Sequence, residues 1–135
     1  MSGPQSYWTS TAASSPSTHP SWPGATTTAA GDRFGSLEVV PSPGHSPGHV
    51  AFLDVRDRSL IAGDVFTAYG RLTVTSHYYW RFPLATMATW DRDRDVESAR
   101  ALAKLDPSLL AVGHGPVTRS PRTAMDQAIE RAVRA

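Results

Sequence analysis

The first 31 residues contain no Asp, Glu, Lys or Arg, so all 13 basic and all 12 acidic side chains of this 135-residue chain lie after Gly31. That break limits what can fold. Met1 to Gly31 is built mainly of Ser, Thr, Pro, Ala and Gly, which offer too little apolar side chain to offset the entropy of ordering a backbone. The expected organisation is a disordered segment, 1–31, followed by one domain, 32–135. Tyr7, Trp8 and Trp22 are aromatic exceptions in the first segment, with no periodic pattern around them, and His19 reads as a solvated loop residue.

From Asp32 the texture changes. Leu37-Glu38-Val39-Val40 reads as a strand running into the Pro/Gly-rich loop from Pro41 to His49. Val50–Val55 is a second strand, Arg56-Asp57-Arg58 a tight turn, and Ser59–Ala62 a third strand ending at Gly63-Asp64. The stretch from Val65 to Pro83 shows no sustained period but is aromatic, with Tyr69, Tyr78, Tyr79, Trp80 and Phe82, and suits a substrate-side loop. A helix is predicted from about Asp91 to Leu105. The acids Asp91, Asp93 and Asp95 favour its positive N-terminal end, and Val96, Ala99, Leu102 and Leu105 recur near helical spacing. Asp106-Pro107 stops it. Leu109–Val112 is a further strand ending at Gly113-His114-Gly115. Ser120-Pro121 has the cap and first-turn pattern of a final helix, with Ala124, Ala128, Ile129 and Val133 on one side. Strands separated and followed by helices imply an α/β layered domain.

Composition removes several chemistries. With no cysteine, disulfides, thiolate metal sites and cysteine nucleophiles are excluded. The net charge of +1 lacks the broad positive field of nucleic-acid binders, so no nucleic-acid partner is expected and a small-molecule substrate fits better. No apolar run reaches the roughly 20 residues that span a bilayer, and the N-terminus lacks the basic and apolar regions of a signal peptide. The expectation is a cytoplasmic protein with no membrane partner.

Any metal must therefore be held by His and carboxylates. His45, Asp64 and His114 each follow a predicted strand beside a glycine (Gly44, Gly63, Gly113), and glycine lets the backbone turn sharply there. Converged on one sheet edge, they would offer two imidazole nitrogens and a carboxylate to zinc, iron or manganese, leaving a position for an activated water. Each residue also has a structural reading: Asp64 capping a loop, His114 occupying a turn, and His45 and His49 hydrogen-bonding within their own loop. His77 has no partner signal.

The segment Ser42-Pro43-Gly44-His45-Ser46-Pro47-Gly48-His49-Val50, with Ala62-Gly63-Asp64 and Gly113-His114-Gly115 in that order, resembles the TPGHTPGH, GD and GHG segments of the metallo-β-lactamase superfamily. The resemblance runs from about Asp32 to the C-terminus and is specific because three separate motifs recur in sequence. It implies the C-terminal half of an αβ/βα sandwich, as one mixed sheet with outer helices. It also implies a metal-dependent hydrolase attacking an ester, thioester, amide or phosphoester. His45 would bind a first metal, Asp64 bridge both, and His114 bind the second, while His49 would support the loop without ligating.

The family's HxHxDH motif, which supplies two ligands to each metal, has no counterpart between Met1 and Val40. Without it the ligands are too few for two tightly held ions, and at most one zinc, shared by all three residues, is expected. The second sheet of the sandwich is also unmatched, so one apolar sheet face should lack its cover. Such a face favours a homo-oligomer or a completing partner chain. The alternative to a hydrolase is a non-catalytic truncated relic or a partner-binding domain.

Overall fold

Period-two alternation of apolar residues sets the sheet, and period-3.6 alternation sets the two helices that cover it. The computed structural model describes residues 29–134, so most of the charge-free segment, including Tyr7, Trp8, His19 and Trp22, lies outside the described residues. Of that segment Ala29–Gly31 are described, in a turn whose Gly31 N–H donates to the Val39 carbonyl at 3.0 Å.

In chain order the elements are β1 (Arg33–Phe34), β2 (Leu37–Pro41), β3 (Val50–Asp54), β4 (Ser59–Gly63), β5 (Phe66–Thr67), β6 (Thr73–Val74), α1 (Pro83–Met87), α2 (Arg92–Lys104), β7 (Leu109–Val112), β8 (Thr118–Arg119) and α3 (Arg122–Arg134). Six strands form one mixed sheet in the order β1-β2-β3-β4-β7-β8, and β5 and β6 pair as a separate antiparallel ribbon. The pair β4–β7 is parallel and its neighbours are antiparallel. Because β2 and β4 each oppose β3, the strands β2, β4 and β7 all run the same way. Their C-terminal ends therefore share one edge of the sheet.

Cross-strand partners lie on the same face of a sheet. The register Leu53↔Leu60 and Leu60↔Leu110 puts these residues on one face, with Ala51 and Ala62 two residues along their strands. That face is buried against Ala99, Leu102 and Ala103 of α2 and Met125, Ala128 and Ile129 of α3, with Val65, Phe66 and Val74 from the β5–β6 region. Each large apolar side chain fully buried there stabilises the fold by roughly 1.5–3 kcal/mol. Asp91 caps α2, its carboxylate accepting the Arg94 N–H at 3.1 Å, as its position before an apolar-periodic run predicts.

The opposite face carries Phe34, Leu37, Val39, Phe52, Ile61 and Ala111, by the register Phe34↔Leu37, Val39↔Phe52, Phe52↔Ile61 and Ile61↔Ala111. No helix of the described residues packs on it in the core cluster, and Ile61 and Phe34 remain 44% and 52% exposed. The expected C-terminal half of a sandwich, a mixed sheet with outer helices on one side, is what the described residues form.

The details differ in three places. The final helix buries Met125 where Val133 was expected, because Met125, Ala128, Ile129 and Ala132 follow the i, i+3, i+4, i+7 stripe while Val133 lies off it, 53% exposed. Ser120 does not take an extended capping conformation: it sits at φ +45°, its N–H donating to the Ser108 carbonyl at 2.9 Å, and Pro121 leads into the helix with its carbonyl accepting the Met125 N–H. The aromatic stretch after Val65 contains a ribbon and a short helix, α1, begun by Pro83. Two-residue strands and a single helical turn are too short to leave a period.

Candidate metal centre

The shared C-terminal edge of β2, β4 and β7 is where His45, Asp64 and His114 emerge. The His45 loop is fixed at both flanks. The Pro43 carbonyl accepts the Ser98 hydroxyl at 2.6 Å, the Gly44 carbonyl accepts the Asp91 N–H at 2.8 Å, and the His45 carbonyl accepts the Trp90 N–H at 3.2 Å. Gly44, at φ +145°, lies so close to α2 that an added Cβ would overlap the Asp95 backbone. Only glycine fits there. Beside Asp64, the Gly113 N–H donates to the Gly63 carbonyl at 2.8 Å, and a Cβ on Gly113 would run into the Asp64 carboxylate.

Asp64 sits between the two imidazoles. Its Oδ2 is 3.7 Å from His45 Nε2 and its Oδ1 is 3.6 Å from His114 Nε2. Both separations are too long for hydrogen bonds. Two donors bound at a tetrahedral angle to one zinc, at bonds of about 2.0–2.1 Å, lie about 3.4 Å apart, so each pair is close to the bite of one ion. Thr89 Oγ1 donates to the Ala85 carbonyl at 2.9 Å and stands 3.4 Å from His45 Nδ1. An Nδ1–H directed at Thr89 leaves the Nε2 lone pair facing a carboxylate oxygen, an opposition that a cation between them would relieve.

The donors thus fit a metal in kind and in pairwise spacing, and fall short in number. Among the described residues no group of three or more His, Asp or Glu converges to hold an ion. The two oxygens of Asp64 face different histidines, one each.

His49 has a different task. Its Nε2 accepts the Asp64 N–H at 3.1 Å, and its Nδ1 is 2.7 Å from Ser42 Oγ. Acceptance at Nε2 assigns the proton to Nδ1, which donates to Ser42. Burial lowers its pKa, opposed by the attraction of Asp64 and aided by repulsion from His45, so the neutral form that this relay needs is favoured. His77 has another setting, its carbonyl accepting the Thr86 hydroxyl at 3.0 Å, with burial lowering its pKa.

Two contributors were not legible as such in the sequence. Asp95, one of three alternating acids, is the one turned inward. It is fully buried, its Oδ2 accepts the Ser76 N–H at 2.9 Å, and its Oδ1 has no partner among the described residues. Burial pushes its pKa up to about 6, partly offset by the hydrogen bonds from Ser76. Phe82 and Tyr69 form an aromatic cluster at His114, with ring centroids 5.2 and 6.5 Å from the imidazole and 4.8 Å from each other. Beside the three candidate ligands opens a cavity of about 210 Å³ walled by Phe82, Leu84, Ala85 and Ala88, with Thr67 and Thr75.

Comparison with known proteins finds relatives over much of the chain. The family model described as the metallo-beta-lactamase superfamily matches residues 10–114, a span that begins upstream of Asp32. The chain is 47% identical over 102 residues to the uncharacterized protein YobT of Bacillus subtilis (strain 168), covering 76% of this chain and 44% of YobT. It is 31% identical over 79 residues to the probable metallo-hydrolase YybB of the same organism, covering 58% of this chain and 32% of YybB. The crystal structure of TTHA1623 in a di-iron-bound form superposes with a TM-score of 0.52 at 31% identity, covering 72% of this chain and 44% of that one. The chain therefore spans less than half the length of these relatives. No helix among the described residues is long and apolar enough to cross a membrane.

Proposed function

The chain belongs to the metallo-beta-lactamase superfamily, and on that premise we propose that it carries part of a metal-dependent hydrolytic centre with His45, Asp64 and His114 as ligands. The observation that supports this reading is one carboxylate facing two imidazole Nε2 atoms, one from each oxygen, at the mouth of a cavity with an apolar wall. A bound zinc, iron or manganese ion would polarise a carbonyl or phosphoryl oxygen and lower the pKa of its water. Imidazole and carboxylate donors suit all three metals, and the similarity to a di-iron-bound protein puts iron beside zinc.

The remaining work falls to protein groups. Asp64 bridges the two donor pairs, His49 pins the Asp64 backbone through its N–H, and the Phe82 and Tyr69 rings restrain His114. The apolar wall excludes water on one side, which strengthens every charge interaction inside. Further donors would come from polypeptide beyond the described residues or from a partner chain. The direct test is to strip metal from the chain, add zinc or ferrous iron, and measure bound metal alongside hydrolysis of a generic ester and thioester in wild type and Asp64→Ala. Uptake and turnover lost together in the variant support the proposal, and a wild type that takes up no metal overturns it.

A second reading rests on a different observation. The uncovered sheet face, with Ile61 and Phe34 exposed, suits a partner-binding domain or a homo-oligomer, because apolar patches of this kind mark interaction sites. Sedimentation at increasing concentration should show self-association that Ile61→Asp abolishes, and a wild type that stays monomeric throughout sinks this reading.

A further inference from the structure

Three arginines from separate parts of the chain gather around Tyr79, each held by a neutral group, and we infer that they form an anion site, distinct from the candidate metal centre, for inorganic phosphate or the phosphate of a phosphomonoester. The inference goes beyond the hydrolytic reading and does not rest on it. Arg71 stands in the turn between β5 and β6, its guanidinium carbon 4.7 Å from the centroid of the Tyr79 ring. Arg131, in the last turn of α3, donates from Nη2 to the carbonyl of Leu72, the residue after Arg71, at 2.7 Å. Arg81 completes the group. A Cβ on Gly70 would run into its Nη1, with the Tyr79 hydroxyl just beyond, and its guanidinium carbon lies 5.2 Å from the Trp80 ring centroid. The charges act on one another. Burial lowers the pKa of Arg131 and the charge of Arg71 lowers it further, opposed by Tyr79. Burial also lowers that of His77, and the charges of Arg71 and Arg131 add to it, so a neutral imidazole with one N–H to donate is favoured beside them.

Such a grouping works against folding by itself. Like charges on partly buried side chains are screened less than charges in water, and Arg131 Nε is buried with no hydrogen-bond partner among the described residues, which costs free energy. Elsewhere arginines sit on carboxylates: Arg56 Nη2 is 2.7 Å from Asp54, and Arg122 Nε is 3.0 Å from Asp126. Here the supports are two aromatic rings and a carbonyl, which orient the guanidiniums without neutralising them. An anion among them would offset the repulsion. Its class follows from the donors. One guanidinium fork satisfies the two oxygens of a carboxylate, whereas two or three forks from different segments suit the three terminal oxygens and near-double charge of a phosphate. The Tyr79 hydroxyl and the His77 imidazole add neutral donors, and the exposed rings of Tyr78 and Trp80 offer flat surface to an organic group on that phosphate. The cavity beside His45, Asp64 and His114 is lined by other residues.

The test uses the full chain freed of metal, near neutral pH and at constant ionic strength. Inorganic phosphate and phenyl phosphate are titrated against it, with acetate as the monoanion control, and binding is read from the rise in Tm and from broadening of the phosphorus NMR resonance. Acetate should bind about tenfold more weakly than phosphate. Arg71→Gln and Arg131→Gln should each weaken phosphate binding by about tenfold or more, as loss of a hydrogen bond to a charged group does, and Arg71→Lys, which keeps the charge without the fork, should recover part of it. Arg33→Gln removes the same charge from an exposed position on β1 and should leave binding unchanged. If Arg131→Gln fails to fold, Arg71→Gln, at an exposed turn position, decides the matter by itself. A wild type that binds neither phosphate overturns the inference, as do acetate bound as tightly as phosphate and equal losses in Arg33→Gln and Arg71→Gln, which reduce the effect to net charge. An affinity altered more by Asp64→Ala than by Arg71→Gln places the anion in the metal centre and also overturns it. With binding lost in Arg71→Gln, a preference for phenyl phosphate supports the site with a phosphomonoester as its ligand, and no such preference supports it with the free ion.

Discussion

The two histidines that flank Asp64 are held in opposite ways. His45 is 21% exposed at its side chain and sits in a loop whose three consecutive carbonyls, from Pro43 to His45, are bonded to α2 and the segment before it. His114 is 48% exposed and is restrained by ring packing on Phe82 and Tyr69 and by its carbonyl, which accepts the Ala68 N–H at 2.9 Å. One histidine is fixed by directional hydrogen bonds to α2 and the segment before it. The other is fixed by side-chain contact near solvent. Hydrogen bonds in a closed network fail together, whereas contacts between partly exposed rings fail a little at a time, so the two sides should respond differently to mutation.

The largest effect should come from Gly44→Ala. Overlap with the Asp95 backbone on α2 and strain at φ +145° together should lower stability by about 4 kcal/mol, read as a shift in urea midpoint at constant slope. Gly113→Ala meets only a side chain, the Asp64 carboxylate, which can swing aside. It should cost about 1 kcal/mol or less and yet abolish metal uptake. Equal stability losses in the two variants would break the distinction between the sides.

Asp95→Asn tests the helix end on which the His45 loop rests. Asp95 is raised to about 6 from 3.8, so its contribution is fully present below 3.8 and is lost as pH rises through about 6. The variant should therefore gain up to about 3 kcal/mol over wild type at pH 8 and nothing at pH 3.5, measured as the difference in Tm at the two values. His49 runs in the opposite sense. Its pKa is lowered from 6.5, so its contribution is present above 6.5 and is lost as pH falls below that value. His49→Ala strands the Asp64 N–H and the Ser42 hydroxyl and should cost about 2 kcal/mol at pH 8. His49→Gln, which retains an acceptor, should recover part of this and sharpen the assignment of Nε2 as the group that holds Asp64. A His49→Gln chain no more stable than His49→Ala would remove that role.

The smallest effect on metal uptake is expected from Phe82→Ala. Loss of its ring contacts with His114 and Tyr69 should cost about 1 kcal/mol and weaken metal uptake severalfold without touching the His45 side. Thermal melts and metal titration of Phe82→Ala and Gly44→Ala, run side by side, complete the comparison.

Much of this was written along the chain. Three strands followed by Gly44-His45, Gly63-Asp64 and Gly113-His114, and a helix begun by Asp91, appear at the positions that alternation and capping assign. These signals are local: a period of two or 3.6 over five to thirteen residues, or a turn residue at its turn. The pairing of β4 with β7 across nearly 50 residues of chain is not local, and neither is the choice of Asp95 among three alternating acids. The two-residue strands β1, β5, β6 and β8 and the single-turn α1 were beyond reach, because so few residues show no period and their pairing comes from neighbours the sequence does not name.

By itself, then, the sequence determined which candidate donors the chain offers and where they lie along it: two imidazoles and a carboxylate, each following a strand and beside a glycine, in a chain with no thiol to compete. The tertiary structure alone decided that β2, β4 and β7 run the same way, that each oxygen of Asp64 faces a different histidine, that His49 holds the Asp64 backbone, and that α1 gives the cavity an apolar wall. Residue identity is carried along the chain, but convergence is a property of strand direction and register, which are set by burying one face of the sheet under two helices.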